Sequence, residues 1–192
     1  MKQVRSVRTR EAILAGAAAQ FDTRGYGNTS LNAILDACGY ARGGFYHHFP
    51  SKEAIAQQLV VDWRFAVDEA VNEVTLTDSG SAIREKLTAI FTSLARRINA
   101  ETNVRAGMKL TLESAVDTRT AFTSWVEIID GVVDTAIAAG EIDDAPIVHR
   151  LAWNLCAGTV GATYASAIAG DDVDLVTRIE EAVAAHLRTA LT

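Results

Sequence analysis

Only two prolines, Pro50 and Pro146, stand in 192 residues, and no stretch of useful length alternates apolar with polar side chains. Proline costs a helix interior about 3 kcal/mol, and strict alternation is the mark of a half-buried strand. A chain that lacks both, and is rich in Ala, Leu, Glu and Arg, is expected to be all-α. Ile13, Ala17 and Phe21 share one helical face with Leu14 and Ala18 beside them, which predicts an amphipathic helix over 6–24, ended by Gly25. Thr29 is read as the N-cap of a short helix that turns Leu31, Ile34 and Leu35 inward. After a break at Cys38-Gly39-Tyr40, a second short helix over 41–48 must end before Pro50. Ser51 caps a long helix to about 75, with Glu53 in its first turn, where the macrodipole favours a negative charge. Beyond a break at 78–80, helices are expected over 81–99, 103–115, 118–139, 145–168 and 172–190. There is no internal repeat, and the linkers are short.

Residues 39–53, GYARGGFYHHFPSKE, crowd Tyr40, Phe45, Tyr46 and Phe49 together with Arg42, His47, His48 and Lys52. Such a stretch must face two environments. On a helix, Phe45 and Phe49 lie four apart and point inward, while Arg42, Gly43, Tyr46 and His47 gather on the other side. Two short helices around a glycine-containing turn, preceded by a longer one, match a helix-turn-helix. Arg42 suits guanine O6 and N7 or a phosphate, and Gly43 allows close backbone approach to the groove. Tyr46, His48 and Lys52 suit phosphate oxygens. Thr29 is placed with the DNA-binding set at the start of the first short helix.

Charge agrees with that placement. The chain's net charge is -6, yet residues 1–52 hold seven Lys/Arg against three acids, whereas the other 140 residues hold eleven against twenty-one. A basic head before an acidic body suits a protein whose N-terminal part meets a polyanion.

The stretch TREAILAGAAAQFDTRGYGNTSLNAILDACGYARGGFYHHFPSKEAI resembles the N-terminal domain of the TetR family of bacterial repressors, most specifically in RGY, NTSL, GGFYHHF and SKE in that order. Ala41 and Gly44 depart from it, where many members carry Ser or Thr and Ala. The resemblance implies a helix-turn-helix DNA-binding domain over 1–52, followed by a helical ligand-binding and dimerisation domain over 53–192. VRAGMKL at 104–110, FTSW at 122–125 and AGT at 157–159 look like segments of γ-butyrolactone receptor-type members, which answer small diffusible signals. That likeness would make Trp125 a ligand-pocket residue. The stretch between Glu113 and Phe122 is shorter than in most such receptors.

Independently of resemblance, Phe122, Trp125 and Ile129 form one apolar stripe and Met108 with Leu112 another. Thr111, Thr159 and the Trp125 indole could supply the polar contacts of a small ligand. Small residues from Ala157 to Ala165, and an apolar stripe along the last helix, fit close helix packing. In the family such final helices make a dimeric four-helix bundle, so a homodimer is expected, reading a palindromic operator in double-stranded DNA.

Other classes fare worse. His47 and His48 are adjacent and diverge on a helix, so they cannot share a metal as an i, i+4 pair could. No nucleophile elbow, P-loop or dinucleotide fingerprint occurs, and Cys38 and Cys156 read as small buried hydrophobes. No enzyme, cofactor or metal is expected. Neither a spanning apolar run nor a signal-peptide pattern is present, which predicts a cytoplasmic protein without a membrane partner. The remaining alternative is a regulator or architectural DNA-binder with no small-molecule ligand.

Overall fold

The computed structural model describes residues 2–40, 42–77, 80–116, 120–169 and 173–191; the side chains of 2–5, 42 and 77 lie outside the described set. Among the described residues the chain is helical and contains no strand. The elements are α1 (Lys2–Arg24), α2 (Leu31–Cys38), α3 (Arg42–Phe45), α4 (Lys52–Thr77), α5 (Ile83–Ala100), α6 (Thr102–Leu110) and α7 (Ala121–Ala138). A short 3-10 turn, Val148–Arg150, then leads into α8 (Leu151–Ala169), and α9 (Leu175–Ala190) follows. The expected break at 78–79, the first residues of the helix expected from 118, and residue 172 fall outside the described residues.

The chain divides into two compact units. The first takes residues 1–64 and returns for 101–121, so α6 belongs with the head. The boundary expected at 52 therefore differs from the compact unit, which runs twelve residues further and recruits a second segment. The cause is packing that sequence distance hides. Ala106 and Leu110 of α6, with Val116, join Ile13, Ala17, Phe21, Ile34, Phe45, Phe49, Ile55 and Leu59 in one core. Each fully buried side chain of Ile, Leu or Phe size contributes roughly 1.5–3 kcal/mol. Gly107 permits the approach: a Cβ there would run into the Leu59 carbonyl oxygen and lie 2.9 Å from the Trp63 Cβ.

Asp22 near the end of α1 then fastens α6. Arg105 Nε donates to its carboxylate at 3.0 Å and Lys109 Nζ at 2.7 Å, while Lys109 also donates to the Asp22 carbonyl at 3.0 Å. Opposite charges held on a part-buried carboxylate with these hydrogen bonds are stronger than exposed pairs.

The second unit comprises residues 65–100 and 122–192. Here α5 and α8 both pack on α9, and Leu87, Phe91, Leu94, Trp125, Ile129, Val133, Leu155, Ile179 and Val183 are buried. Thr92 Oγ1 donates to Glu180 at 3.1 Å, adding a polar tie between α5 and α9.

Candidate DNA-binding site

Gly25, at φ 75°, ends α1 as expected. The cap of α2 is Ser30, whose hydroxyl accepts from the Ala33 N–H at 3.1 Å, and not Thr29. Thr29 is only 1% exposed. Its hydroxyl donates to the Gly25 carbonyl at 2.8 Å and approaches the Gln20 carbonyl at 3.2 Å. It braces the turn from beneath, and a side chain so buried cannot touch DNA, which corrects its place in the expected DNA-binding set. Gly39, at φ 70°, closes α2.

The helix expected over 41–48 is shorter than its aromatic spacing suggests, because Gly43-Gly44 weakens it by roughly 1 kcal/mol per glycine. Among the described residues of that stretch Arg42–Phe45 is α-helical, and a turn follows in which the His48 N–H donates to the Phe45 carbonyl at 2.8 Å. The described side chains nonetheless divide between a buried and an exposed face. Phe45 and Phe49 are buried with ring centroids 6.3 Å apart, while Tyr46 is 53% exposed. Gly43 and His47 are exposed and His48 half-buried. A Cβ on Gly43 would meet nothing within 4 Å, so its face is open to an approaching groove. The Arg42 side chain lies outside the described residues.

Lys52 lies elsewhere than a phosphate-reaching cation would. Its ammonium donates to the carbonyls of Tyr26 and Thr29, both at 2.9 Å, and sits 3.9 Å from the centre of the Tyr26 ring. The first turn of α4 is thereby tied to the turn that launches α2. Burial pushes the Lys52 amine down from its ordinary pKa, against the opposing pull of Glu113. Burial, then the carboxylates of Glu53 and Glu113, push the Tyr26 phenol up.

Arg10, which sequence reading left unassigned, stacks 4.8 Å above Phe49 and donates to Gln58 Oε1 at 2.7 Å. It ties α1 to α4 around the reading helix. Its only sequence signal is a basic residue one turn before Ile13, which does not distinguish a brace from a phosphate contact.

The residues expected to line a ligand site divide between the units. Met108, Thr111 and Leu112 are in the first, while Phe122, Trp125, Ile129 and Thr159 are in the second. Leu112 is 54% exposed, because α6 stops at Leu110 and the following turn carries it outward, so it is not part of a buried stripe with Met108. Trp125 is 2% exposed, with Phe122 edge-on at 5.9 Å and Phe91 at 6.3 Å. The hydroxyls of Thr111 and Thr159 donate to the carbonyls of Met108 (2.7 Å) and Leu155 (2.9 Å) on their own segments.

The head buries Phe45 of α3 and Phe49 beyond the turn that follows it, while presenting Tyr46 and His47 outward, which is the arrangement of a helix-turn-helix. Residues 13–59 match the family described as bacterial regulatory proteins, tetR family. The head is thus similar to the DNA-binding domains of that family. The A-factor receptor protein of Streptomyces griseus is 33% identical over 112 residues, covering 58% of this chain and 38% of that protein. The chain thus matches less than two fifths of the length of that relative. Among solved structures, full-length TylP, a TetR regulator from Streptomyces fradiae, is 26% identical with a TM-score of 0.71, covering 100% of this chain and 83% of that one. A γ-butyrolactone receptor described as ArpA-like shares the fold at a TM-score of 0.73, with 24% identity over 96% of this chain and 99% of that one. These relatives are named as regulators and receptors. No helix among the described residues is long and apolar enough to cross a membrane.

Proposed function

We propose that the chain is a ligand-responsive transcriptional repressor that binds a palindromic operator as a homodimer and leaves it when a small, largely apolar effector binds. The observation that carries this reading is the exposed face of Gly43, Tyr46 and His47 on a head whose core is complete without it. Tyr46 rests edge-on against Phe45 at 5.3 Å yet stays 53% exposed, so its hydroxyl, like the exposed His47, suits phosphate and base edges. Dimerisation is supported by α8, which packs on α9 yet leaves Trp153, Tyr164 and Ile168 exposed. Its Gly161 is also exposed, with room beyond it for a facing backbone. Effector binding is supported by the apolar body around Trp125 and by the receptor names of two relatives; Trp125, Phe122 and Ile129 are its proposed contacts. A cytoplasmic location follows from a DNA partner.

Selection from a random pool of double-stranded DNA with the full chain tests the reading. Enrichment of an inverted repeat, with half-sites about 34 Å apart or a multiple of it, bound at two chains per repeat in sedimentation, is the expected result. An asymmetric site occupied by one chain would overturn the dimeric reading, and no enrichment would overturn the operator.

A further inference from the structure

The second unit carries a groove of 410 Å³ between the last turns of α4, the first turns of α5, and α7. Its volume lies in the range of roughly 300–1,000 Å³ common to small-molecule sites. None of Phe122, Trp125, Ile129 or Thr159 lines it. The walls are apolar: Val71 from α4, Ile83 from α5, and Ile128 and Val132 from α7.

Two further features of the groove point to an occupant. Lys86 keeps only 18% of its side chain exposed, and its ammonium lies 3.7 Å from Glu141, outside hydrogen-bond range. Among the described residues that ion pair is its one polar contact. Three N–H donors so placed favour an oxygen acceptor brought close to them. The other feature is Gly131, in the interior of α7, where glycine costs a helix about 1 kcal/mol relative to alanine. A Cβ there would meet nothing within 4 Å, so no close packing requires the glycine, and what it leaves is room in the groove. The hydroxyls of Thr75 and Thr135 donate to carbonyls of their own helices. Lys86 and Glu141 are therefore the groove's available polar groups, and together they carry no net charge.

We propose that this groove is a second small-molecule site, which takes a neutral amphiphile: an apolar body over Gly131 and between Ile83, Ile128 and Val132, and a hydroxyl or carbonyl oxygen accepting from Lys86. An anionic head is disfavoured because it meets the Glu141 carboxylate. The proposal stands apart from the repressor reading, since it concerns occupancy of the groove and not release of DNA.

The test is a titration of the full chain, with its Ile and Val methyls labelled for NMR, using 1-octanol and octanoate as probes. Octanol should shift the methyls of Val71, Ile83, Ile128 and Val132 saturably, and octanoate should bind about tenfold more weakly. Lys86→Met should weaken octanol about tenfold, the size of one hydrogen bond to a charged donor. Gly131→Leu should abolish the shifts without lowering the melting temperature, which separates a filled groove from a misfolded body. Absence of saturable shifts, shifts centred on Ile129 instead, octanoate binding as tightly as octanol, or binding that survives Gly131→Leu would each overturn the site.

Discussion

Lys52 holds two peptide carbonyls and one aromatic face with a single ammonium, and that decides what its removal should do. A lysine on a phosphate contributes about one unit to the salt slope of DNA binding. A lysine committed to the Tyr26 and Thr29 carbonyls contributes to the position of α2 instead. Lys52→Ala should therefore destabilise the fold by about 1–3 kcal/mol, as expected for lost hydrogen bonds to a charged donor. Operator affinity should fall while the slope of log affinity against log salt stays as it was. Thermal unfolding and a salt titration of operator binding check both halves. A slope reduced by one unit would return Lys52 to the phosphate backbone. The SKE spacing showed that a cation stands at the start of α4, but its partners lie 23 and 26 residues upstream, and no periodicity reports that distance. Thr29 and Ser30 pose a similar limit: both can cap a helix, and only the packing of the turn decides which one is buried.

Among the elements, α1, α2, α4 and α5 were legible because a 3.6-residue apolar period and glycine stops are local signals. The membership of α6 in the head was not, because Asp22 meets Arg105 and Lys109 across more than eighty residues. Gly107 is the sharpest probe of that packing. Gly107→Ala would drive a methyl into the Leu59 carbonyl, and overpacking of this kind costs about 1–3 kcal/mol. Chemical denaturation should show that loss, although alanine is the better helix former; an unchanged or raised stability would mean that α6 does not press on α4 in solution. At the other end of the chain, Asp174 caps α9 by accepting from the Thr177 N–H at 3.1 Å and its hydroxyl at 2.8 Å. Those bonds hold its carboxyl below the ordinary value of 3.8. A depressed acid stabilises the fold above its unfolded pKa and loses that contribution as pH falls through the folded one. Asp174→Ala should then melt earlier than the parent protein at neutral pH, and the difference should shrink below pH 3.8. A gap independent of pH would show that charge plays no part in the cap.

At the scale of the whole molecule the head is discontinuous, since residues 1–64 and 101–121 form one compact unit. Residues 1–64 produced alone would leave bare the surface of α1 and α4 that Ala106, Gly107 and Leu110 cover. That piece should show weak helical circular dichroism and no cooperative melting, whereas the full chain melts cooperatively. A cooperatively folded 1–64 would mean that α6 is dispensable to the reading head. The same discontinuity sets an order of events during synthesis. A ribosome adds roughly 5–20 residues each second, so the 57 residues from Arg64 to Ala121 take about 3–11 s. Through that interval the recognition turn exists without the helix that completes its support, and a nascent chain halted in α5 owns the reading residues but not the finished reader.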